Sequence, residues 1–443
     1  MGIPVRSRFN RPVDATTRER ITYRQERWRS LFAGVIETAG NTFLLLIATR
    51  QFDLGPLWKA MIAGGTSVGL LLSPVLVNVA RWMGLRPTEA VGRLLFLGGL
   101  CCLALGVYPN PKFFALASLL ALTATTCAIP LMTQVYHDNY PESRRGKLYS
   151  NAFMIRIAAA MAFGWLGGQI LEPHLGGVAS ALGVKLFRVT AYVMKVPGRW
   201  RILCGLFALA YFGAAWAVSR IPSAPLRSDA VGHPLRALRF LRTDPVFRNA
   251  LIAWMLMGFA NLAMIPMRVE YLGNPRHGLA LGATEIAFYT LVIPNAARLV
   301  MSPVWGRLFD RMNFFALRAT LNVGFAVVIG AFFMSDSPTG LLVAATLYGI
   351  STAGGDVAWG LWVTKVAPPG QVTDYMAVHT FLTGIRGVLA PVAAFHAVQT
   401  IAPAQMGWIA GGMILASSLL LLPEISRWKP KRTGESIPED VTD

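Results

Sequence analysis

The sequence predicts an all-α polytopic membrane protein whose twelve transmembrane helices form two pseudo-symmetric six-helix halves. Three observations predict this fold. Of the 443 residues, 54% are hydrophobic and only 14% are charged, whereas soluble proteins carry about 25% charged residues. Twelve apolar runs are each long enough to cross a hydrocarbon core, which takes about 20 helical residues. Short motifs of the first half also recur in the second half.

The apolar runs divide the chain into spans separated by polar loops. Residues 173–199 mix Gly, Val and Leu with Lys and Arg, and they are predicted to be an interfacial segment or an extension of the neighbouring helices. The predicted spans are 28–50, 56–80, 91–108, 113–136, 149–172, 200–219, 247–270, 284–305, 316–334, 338–363, 375–397 and 405–423.

Two repeats indicate an internal duplication. Ser73-Pro74-Val75 recurs as Ser302-Pro303-Val304, and Ile155-Arg156 recurs as Ile385-Arg386, at offsets of 229 and 230 residues. Two related bundles joined by a central linker are a transporter architecture. The predicted domains are an Arg-rich cytoplasmic arm at 1–27, six-helix bundles at 28–219 and 247–423, a cytoplasmic linker at 220–246 and a cytoplasmic tail at 424–443.

The basic residues predict the orientation of the chain. The 41 Lys and Arg residues exceed the 22 Asp and Glu residues, which gives a net charge of +19. When cations at the edges of the predicted spans are counted with the adjoining loop, 28 of the cations lie on the side of the termini and 10 on the opposite side. The positive-inside rule therefore predicts that both termini are cytoplasmic. The cations are spread over short loops without an aromatic-studded basic face, so no nucleic-acid partner is predicted.

The segment Gly306-Arg307-Leu308-Phe309-Asp310-Arg311-Met312-Asn313 resembles the cytoplasmic loop signature of the major facilitator superfamily. The matching loop of the first half is degenerate, because Arg81 stands where the signature has Asp. Residues 141–146 resemble the loop between the fourth and fifth helices of the same family. The resemblance implies alternating access, with Gly306, Arg307, Asp310 and Arg311 forming a gate. In that gate the Gly permits a tight helix end, and the Asp caps a helix or pairs with an Arg.

Away from the span edges, three arginines fall inside the apolar spans: Arg156, Arg298 and Arg386. A charge at the centre of a bilayer costs at least ~2.5 kcal/mol, so these residues are candidate functional groups. Glu37 and Asp356 are the acidic residues deep in the spans. In the arrangement that the family resemblance implies, all five can face one central cavity. Asn41, one turn after Glu37, and Asn261 in the seventh span are further candidate substrate-binding residues.

Two interpretations of these charges remain open. Arginine keeps its charge and can direct two donors at a carboxylate or phosphate, so Arg156, Arg298 and Arg386 can form a substrate site. Alternatively, Arg386 pairs with Asp356, and Arg156 or Arg298 pairs with Glu37, as ties between helices. Glu37 and Asp356 are candidates for carrying a coupled proton or for ion pairing.

The predicted function is secondary active transport of a small anionic or zwitterionic solute, with proton coupling as a hypothesis. One alternative is efflux of drugs or amphiphiles by the same fold, and another is a transporter-like assembly scaffold that moves nothing. Neither a nucleophile–base pair nor a metal-ligand cluster is visible, so no enzyme activity, cofactor or metal is predicted. The predicted partners are the solute, membrane lipid and protons. The predicted setting is a monomer in a bacterial plasma membrane.

Overall fold

The computed structural model describes residues 14–172, 198–225, 238–367 and 372–427. Twelve long helices in these residues form one bundle, which confirms the predicted all-α membrane fold. Eleven segments are long and apolar enough to cross a membrane, and the remaining long helix is α8, which carries Arg298. The helices are α1 Ala15–Arg50, α2 Pro56–Trp82, α3 Pro87–Val107, α4 Pro111–Asn139, α5 Glu142–Leu171, α6 Trp200–Ser219, α7 Pro245–Gly273, α8 283–311, α9 Phe314–Met334, α10 Pro338–Val366, α11 Val372–Ala397 and α12 Pro403–Arg427.

The ends of the bundle differ from the predicted limits. Helix α1 begins at Ala15, so the second part of the predicted N-terminal arm is helical and continues into the first span. The Asp14 carboxylate accepts a hydrogen bond from the Thr17 N–H at 3.0 Å and caps this helix. Hydrogen bonds from Thr17 also lower the pKa of Asp14. Most of the segment 173–199, the middle of the 220–246 linker and the tail beyond Arg427 lie outside the described residues.

The two halves repeat the same packing pattern. In the first half α1 packs against α5 and α6, α3 packs against α4 and α6, and α2 packs against α4. In the second half α7 packs against α11 and α12, α9 packs against α10 and α12, and α8 packs against α10. Pro74 of α2 and Pro303 of α8 occupy corresponding helix interiors, as the repeated Ser-Pro-Val motif predicts.

The halves meet through two corresponding pairs of helices, α2 with α11 and α5 with α8. Glycines of α5 and α11 face the partner helix so closely that a Cβ would collide with it. Small residues allow this approach between membrane helices, so the glycines of α5 have a packing role. These glycines are Gly164, Gly168, Gly384 and Gly387.

Helices α1 and α8 each contain a π turn, at Ala39–Phe43 and Phe288–Val292. The turns touch across the interface between the halves, where the hydroxyl oxygens of Thr42 and Thr290 lie 3.0 Å apart. A π turn inserts one extra residue and rotates the helix that follows it, and such turns are frequent at functional sites. In this chain both turns lie close to the charged residues described next.

Candidate functional site

Four charged side chains form a continuous network between the halves. The Arg156 Nε–H of α5 donates to Glu37 Oε2 of α1 at 2.6 Å. The Arg298 side chain of α8 donates from Nη1 to Glu37 Oε1 at 3.2 Å and from Nε to Asp356 Oδ2 of α10 at 2.5 Å. The order is therefore Asp356–Arg298–Glu37–Arg156, with alternating charges that sum to zero.

The two middle members of this network are more enclosed than its ends. The side chains of Glu37 and Arg298 are each 11% exposed, whereas Arg156 is 36% and Asp356 35% exposed. The Phe153 ring lies against both arginines, with its centroid 5.7 Å from Arg156 Cζ and 5.2 Å from Arg298 Cζ. An aromatic face favours a nearby cation, most strongly where water is excluded. The network thus presents one positive and one negative end.

The structure brings together four of the five predicted membrane charges and separates the fifth. The predicted pairing of Arg386 with Asp356 is wrong, because Asp356 bonds Arg298 instead. Arg386 lies on α11 inside the second half, and its Nη1 donates to the Trp254 carbonyl oxygen of α7. Its repeat partner Arg156 faces the interface between the halves, so corresponding positions in the sequence have different surroundings. The predicted tie of Arg156 or Arg298 to Glu37 is present for both arginines.

Neither of the two predicted asparagines makes a described hydrogen bond with the four charges. Asn41 lies within the π turn of α1, is exposed and makes no described hydrogen bond to the network. Asn261 lines a small void between α7, α9 and α10 with Arg268 and Tyr348. The substrate-binding roles of both asparagines stay predictions.

The gate motif ends α8, but not in the way that the resemblance implies. Gly306 does not form a tight helix end, because α8 continues through Arg311 and Met312 follows in extended conformation. Arg307 and Arg311 are exposed, and the Asp310 side chain lies outside the described part of the chain. Next to the motif, Lys365 Nζ of α10 donates to the Phe309 carbonyl oxygen of α8 at 2.5 Å. The gating role of the motif stays a prediction.

A second set of contacts closes the side of the bundle away from the termini, here called the far side, where odd-numbered helices end. Lys59 Nζ of α2 lies 2.8 Å from Glu270 Oε1 of α7, and both side chains are buried. The Asn274 amide and the Thr49 hydroxyl also donate to this carboxylate, at 2.6 and 3.3 Å. This pair is not among the predicted site residues, because Lys59 lies near the edge of its span and counts with the loop charges.

Arg50 strengthens the same closure. It donates to the Leu281 carbonyl oxygen of the second half and pairs with Glu172 at 3.1 Å. Glu172 in turn accepts from the Ala283 N–H at the start of α8, at 2.6 Å. Every described hydrogen bond between the halves lies at the level of the charge network or on the far side. The far side is therefore the closed side of this conformation.

Two buried arginines were also missed by the sequence analysis. Arg318 of α9 and Arg268 of α7 were counted as loop charges, yet both are buried in the second half. The signal for Arg318 was available: Asn313 caps α9 by accepting from the Phe315 N–H at 2.9 Å. An asparagine cap at that position starts the helix at Phe314 and places Arg318 in its second turn. Each arginine lies over an aromatic ring, Arg318 over Trp254 and Arg268 over Tyr348.

Gly34 holds α1 close to α5 one turn before Glu37. A Cβ at this position would collide with the Arg156 carbonyl oxygen, the Ala159 Cβ and the Ala160 nitrogen. We therefore expect Gly34→Ala to lower the free energy of unfolding by about 1–3 kcal/mol, as overpacking does. Thermal unfolding in detergent measures this loss.

The matched control is Gly205→Ala in α6, where a Cβ meets nothing within 4 Å. Alanine is favoured over glycine in helices by up to about 1 kcal/mol, so this variant should be unchanged or more stable. If both variants shift stability in the same direction, the close approach at Gly34 does not hold α1 against α5.

Known structures share this fold. The chain is similar to the nucleoside transporter NupG, with 13% sequence identity, a TM-score of 0.69, and coverage of 91% of this chain and 99% of that one. A D-xylose-proton symporter has 15% identity, a TM-score of 0.67 and coverage of 91% and 97%. A POT family transporter in complex with a thioalcohol-conjugated peptide has 12% identity, a TM-score of 0.66 and coverage of 96% and 99%. At these identities the likeness shows the fold.

The twelve-helix fold with two repeated halves is that of a multi-pass membrane transporter. The Major Facilitator Superfamily model matches residues 30–391. The chain belongs to this superfamily, as the loop signature predicted. A search of curated proteins finds no match to the sequence.

Proposed function

We propose that the chain is a secondary transporter that moves a small zwitterionic or anionic solute by alternating access. The observation that carries the proposal is the charge network between the halves, with its enclosed centre and its two half-buried ends of opposite sign. Intramembrane ionisable residues are expensive, and in transporters they mark substrate or ion pathways.

The two ends of the network favour a zwitterion over a simple anion. Arg156 can direct its remaining N–H groups at a carboxylate, because only its Nε–H is used by Glu37 among the described contacts. Asp356 can accept from an ammonium group, since Arg298 is described only at its Oδ2 atom. An anion without an ammonium would meet Arg156 but also the negative charge of Asp356.

We further propose that the acidic residues couple transport to protons. Protonating Asp356 removes the charge that the Arg298 Nε–H group faces and leaves Arg298 bound to Glu37. Protonating Glu37 weakens the tie of the first half to both arginines. Protonating Glu37 changes a contact between the halves directly, and protonating Asp356 changes the charges around Arg298, which forms that contact; a coupling device requires such a change.

In this proposal the described conformation is closed on the far side and gives access from the side of the termini, which we assign to the cytoplasm. The opposite conformation requires separation of Lys59 from Glu270 and of Arg50 from Leu281. The solute binds between the halves with different affinities in the two conformations, so its binding shifts the equilibrium between them. We also retain the prediction of a monomer in a bacterial plasma membrane.

The test is uptake by the purified full chain in proteoliposomes, with a panel of zwitterions, organic anions and neutral amphiphiles. We expect zwitterions to be moved, and Arg156→Gln to lower kcat/KM by at least about tenfold, because one charged hydrogen bond is worth about 1.5–3 kcal/mol. Exposed Arg248→Gln on α7 is the control. Transport of neutral amphiphiles that survives Arg156→Gln would favour efflux, and no transport of any compound would favour a scaffold.

Proton coupling has its own test. We expect solute uptake to change the pH inside the vesicles, and we expect Glu37→Gln or Asp356→Asn to uncouple that pH change from solute movement. The removal of a proton site allows exchange of solute across the membrane but not accumulation driven by a pH gradient. If both variants still accumulate solute against a gradient, neither carboxylate carries the coupled proton.

A further inference from the structure

The second half contains a buried cluster of hydrogen-bond donors away from the charge network. Arg318 of α9, Arg386 and His379 of α11, Trp254 of α7 and Trp362 of α10 form it, and none is more than 4% exposed. Arg318 Cζ lies 3.8 Å from the Trp254 ring centroid. The ring of His379 lies 5.2 Å from both tryptophan rings, and the tryptophan rings are 5.9 Å apart.

Most polar atoms of this cluster have no partner in the described part of the chain. Among the described residues, nothing bonds Arg318 Nη1 and Nη2, Arg386 Nε, His379 Nε2 or the indole N–H groups of Trp254 and Trp362. Buried polar groups in proteins are almost always hydrogen-bonded, so six such atoms in one place require an explanation. The two indole and two guanidinium groups can only donate.

The cluster also has an uncompensated charge. Arg318 lies over the Trp254 ring and Arg386 donates to the Trp254 carbonyl oxygen, so two positive charges lie around one tryptophan. In the described part of the chain no carboxylate pairs with either arginine. An arginine does not deprotonate in a protein, and an isolated buried charge is strongly unfavourable. The Trp254 ring offsets part of this cost for Arg318, but it supplies no counter-charge.

We propose that this cluster binds a small monovalent anion of the halide class, chloride in the cell. An anion in the cluster accepts from unpartnered guanidinium and indole N–H groups and neutralises one of the two charges. The aromatic walls favour a weakly hydrated ion over phosphate or sulfate, which lose more hydration free energy on burial. Gly258 of α7 leaves room for the Arg386 guanidinium, because a Cβ at position 258 would collide with that group.

The position of the cluster separates this ion from the transported solute. Trp254, Arg318, His379 and Trp362 all belong to helices of the second half, and the network of Glu37 and Arg298 joins the two halves. The anion therefore travels with one half during alternating access and stabilises that half. This role does not depend on which solute the protein moves.

The first experiment compares thermal unfolding of the purified full chain in sodium chloride, sodium bromide and sodium gluconate at equal ionic strength. At about 100 times Kd, a halide should raise Tm by about 3 °C over gluconate. Arg318→Gln and Arg386→Gln should abolish this difference. Trp254→Phe keeps the ring but removes the indole N–H, so it should fold and show a weakened halide effect.

The matched control is Arg268→Gln, which removes another buried arginine of α7 stacked on an aromatic ring, 3.7 Å from the Tyr348 centroid. It should be less stable in every salt but keep the halide difference. A second measurement is anomalous diffraction from crystals grown in bromide, with a peak expected between Arg318 and Arg386. Equal Tm in halide and gluconate, a halide difference that survives both Arg→Gln variants, or no bromide at the cluster would overturn the proposal.

Discussion

Replacing Arg298 with methionine is expected to lower the free energy of unfolding by about 3 kcal/mol and to abolish transport. Breaking a buried pair by removing one partner costs about 3–5 kcal/mol, because the other charge is left without compensation. Arg298 bonds both Glu37 and Asp356, so its loss leaves Asp356 without its described partner. We place the loss at the lower limit because Asp356 is 35% exposed and water screens part of its charge. Thermal unfolding and uptake in proteoliposomes measure the two effects.

Two comparisons isolate the electrostatic part of this effect. Arg248→Met removes an exposed arginine from α7 and should leave stability within about 0.5 kcal/mol of the parent. Adding Asp356→Asn to Arg298→Met should recover part of the lost stability, because the uncompensated charge is then gone. An Arg298→Met variant as stable as the Arg248→Met variant would show that the network contributes nothing to folding.

Lys59→Met is expected to shift the protein from the described conformation toward one open on the far side. Glu270 is 1% exposed, and without Lys59 its described hydrogen-bond donors are the neutral groups of Asn274 and Thr49, with His277 Nε2 at 4.0 Å. The closed side then holds a poorly compensated buried charge, which opening relieves by admitting water. If the variant loses about 3 kcal/mol more in the closed conformation than in the open one, the ratio of the two conformations shifts by more than about 100-fold.

Labelling of a single cysteine reports this shift. Ala60 of α2 is 1% exposed and packs against residues of the second half, so Ala60→Cys should react slowly with a membrane-impermeant maleimide. The label is read in a background with Cys101 replaced by serine, because the other three native cysteines are buried. Adding Lys59→Met should speed labelling from the far side at least about tenfold, as the population shift requires.

The chain offers a close control for this experiment. Arg276 and Asp53 also form an ion pair between the halves on the far side, at 2.9 Å, but their side chains are 69% and 64% exposed. Exposed pairs are worth about 0–1 kcal/mol, so Arg276→Met should leave labelling nearly unchanged. The double variant Lys59→Met/Glu270→Met should restore slow labelling, since an apolar pair can replace a buried ion pair. Fast labelling in that double variant would mean that the ion pair is not what closes the far side.

Gly34 and the π turns show that contacts between helices cannot be predicted from the sequence alone. Helix periodicity predicted that Asn41 faces the same way as Glu37. The π turn at Ala39–Phe43 breaks that periodicity, and no residue in the turn announces it. The insertion is stabilised by packing against the corresponding turn of α8, which depends on the whole fold.

The sequence by itself determined the membrane class, the twelve helices, the duplication and the superfamily. Each of these follows from local composition, hydrophobic run length or a short contiguous motif. These signals do not depend on contacts with residues that are distant in the sequence. It also identified Glu37, Arg156, Arg298 and Asp356 as unusual, because a charge inside an apolar run is visible one residue at a time.

Only the tertiary structure decided which charges meet. Arg386 repeats Arg156 in sequence, yet Arg156 bonds Glu37 and Arg386 lies with Arg318 among the tryptophans of the second half. Lys59 and Glu270 are separated by 211 residues and form a buried pair across the interface. Electrostatic energy depends on distance and on the exclusion of water between specific groups. Both quantities are set by how the helices pack.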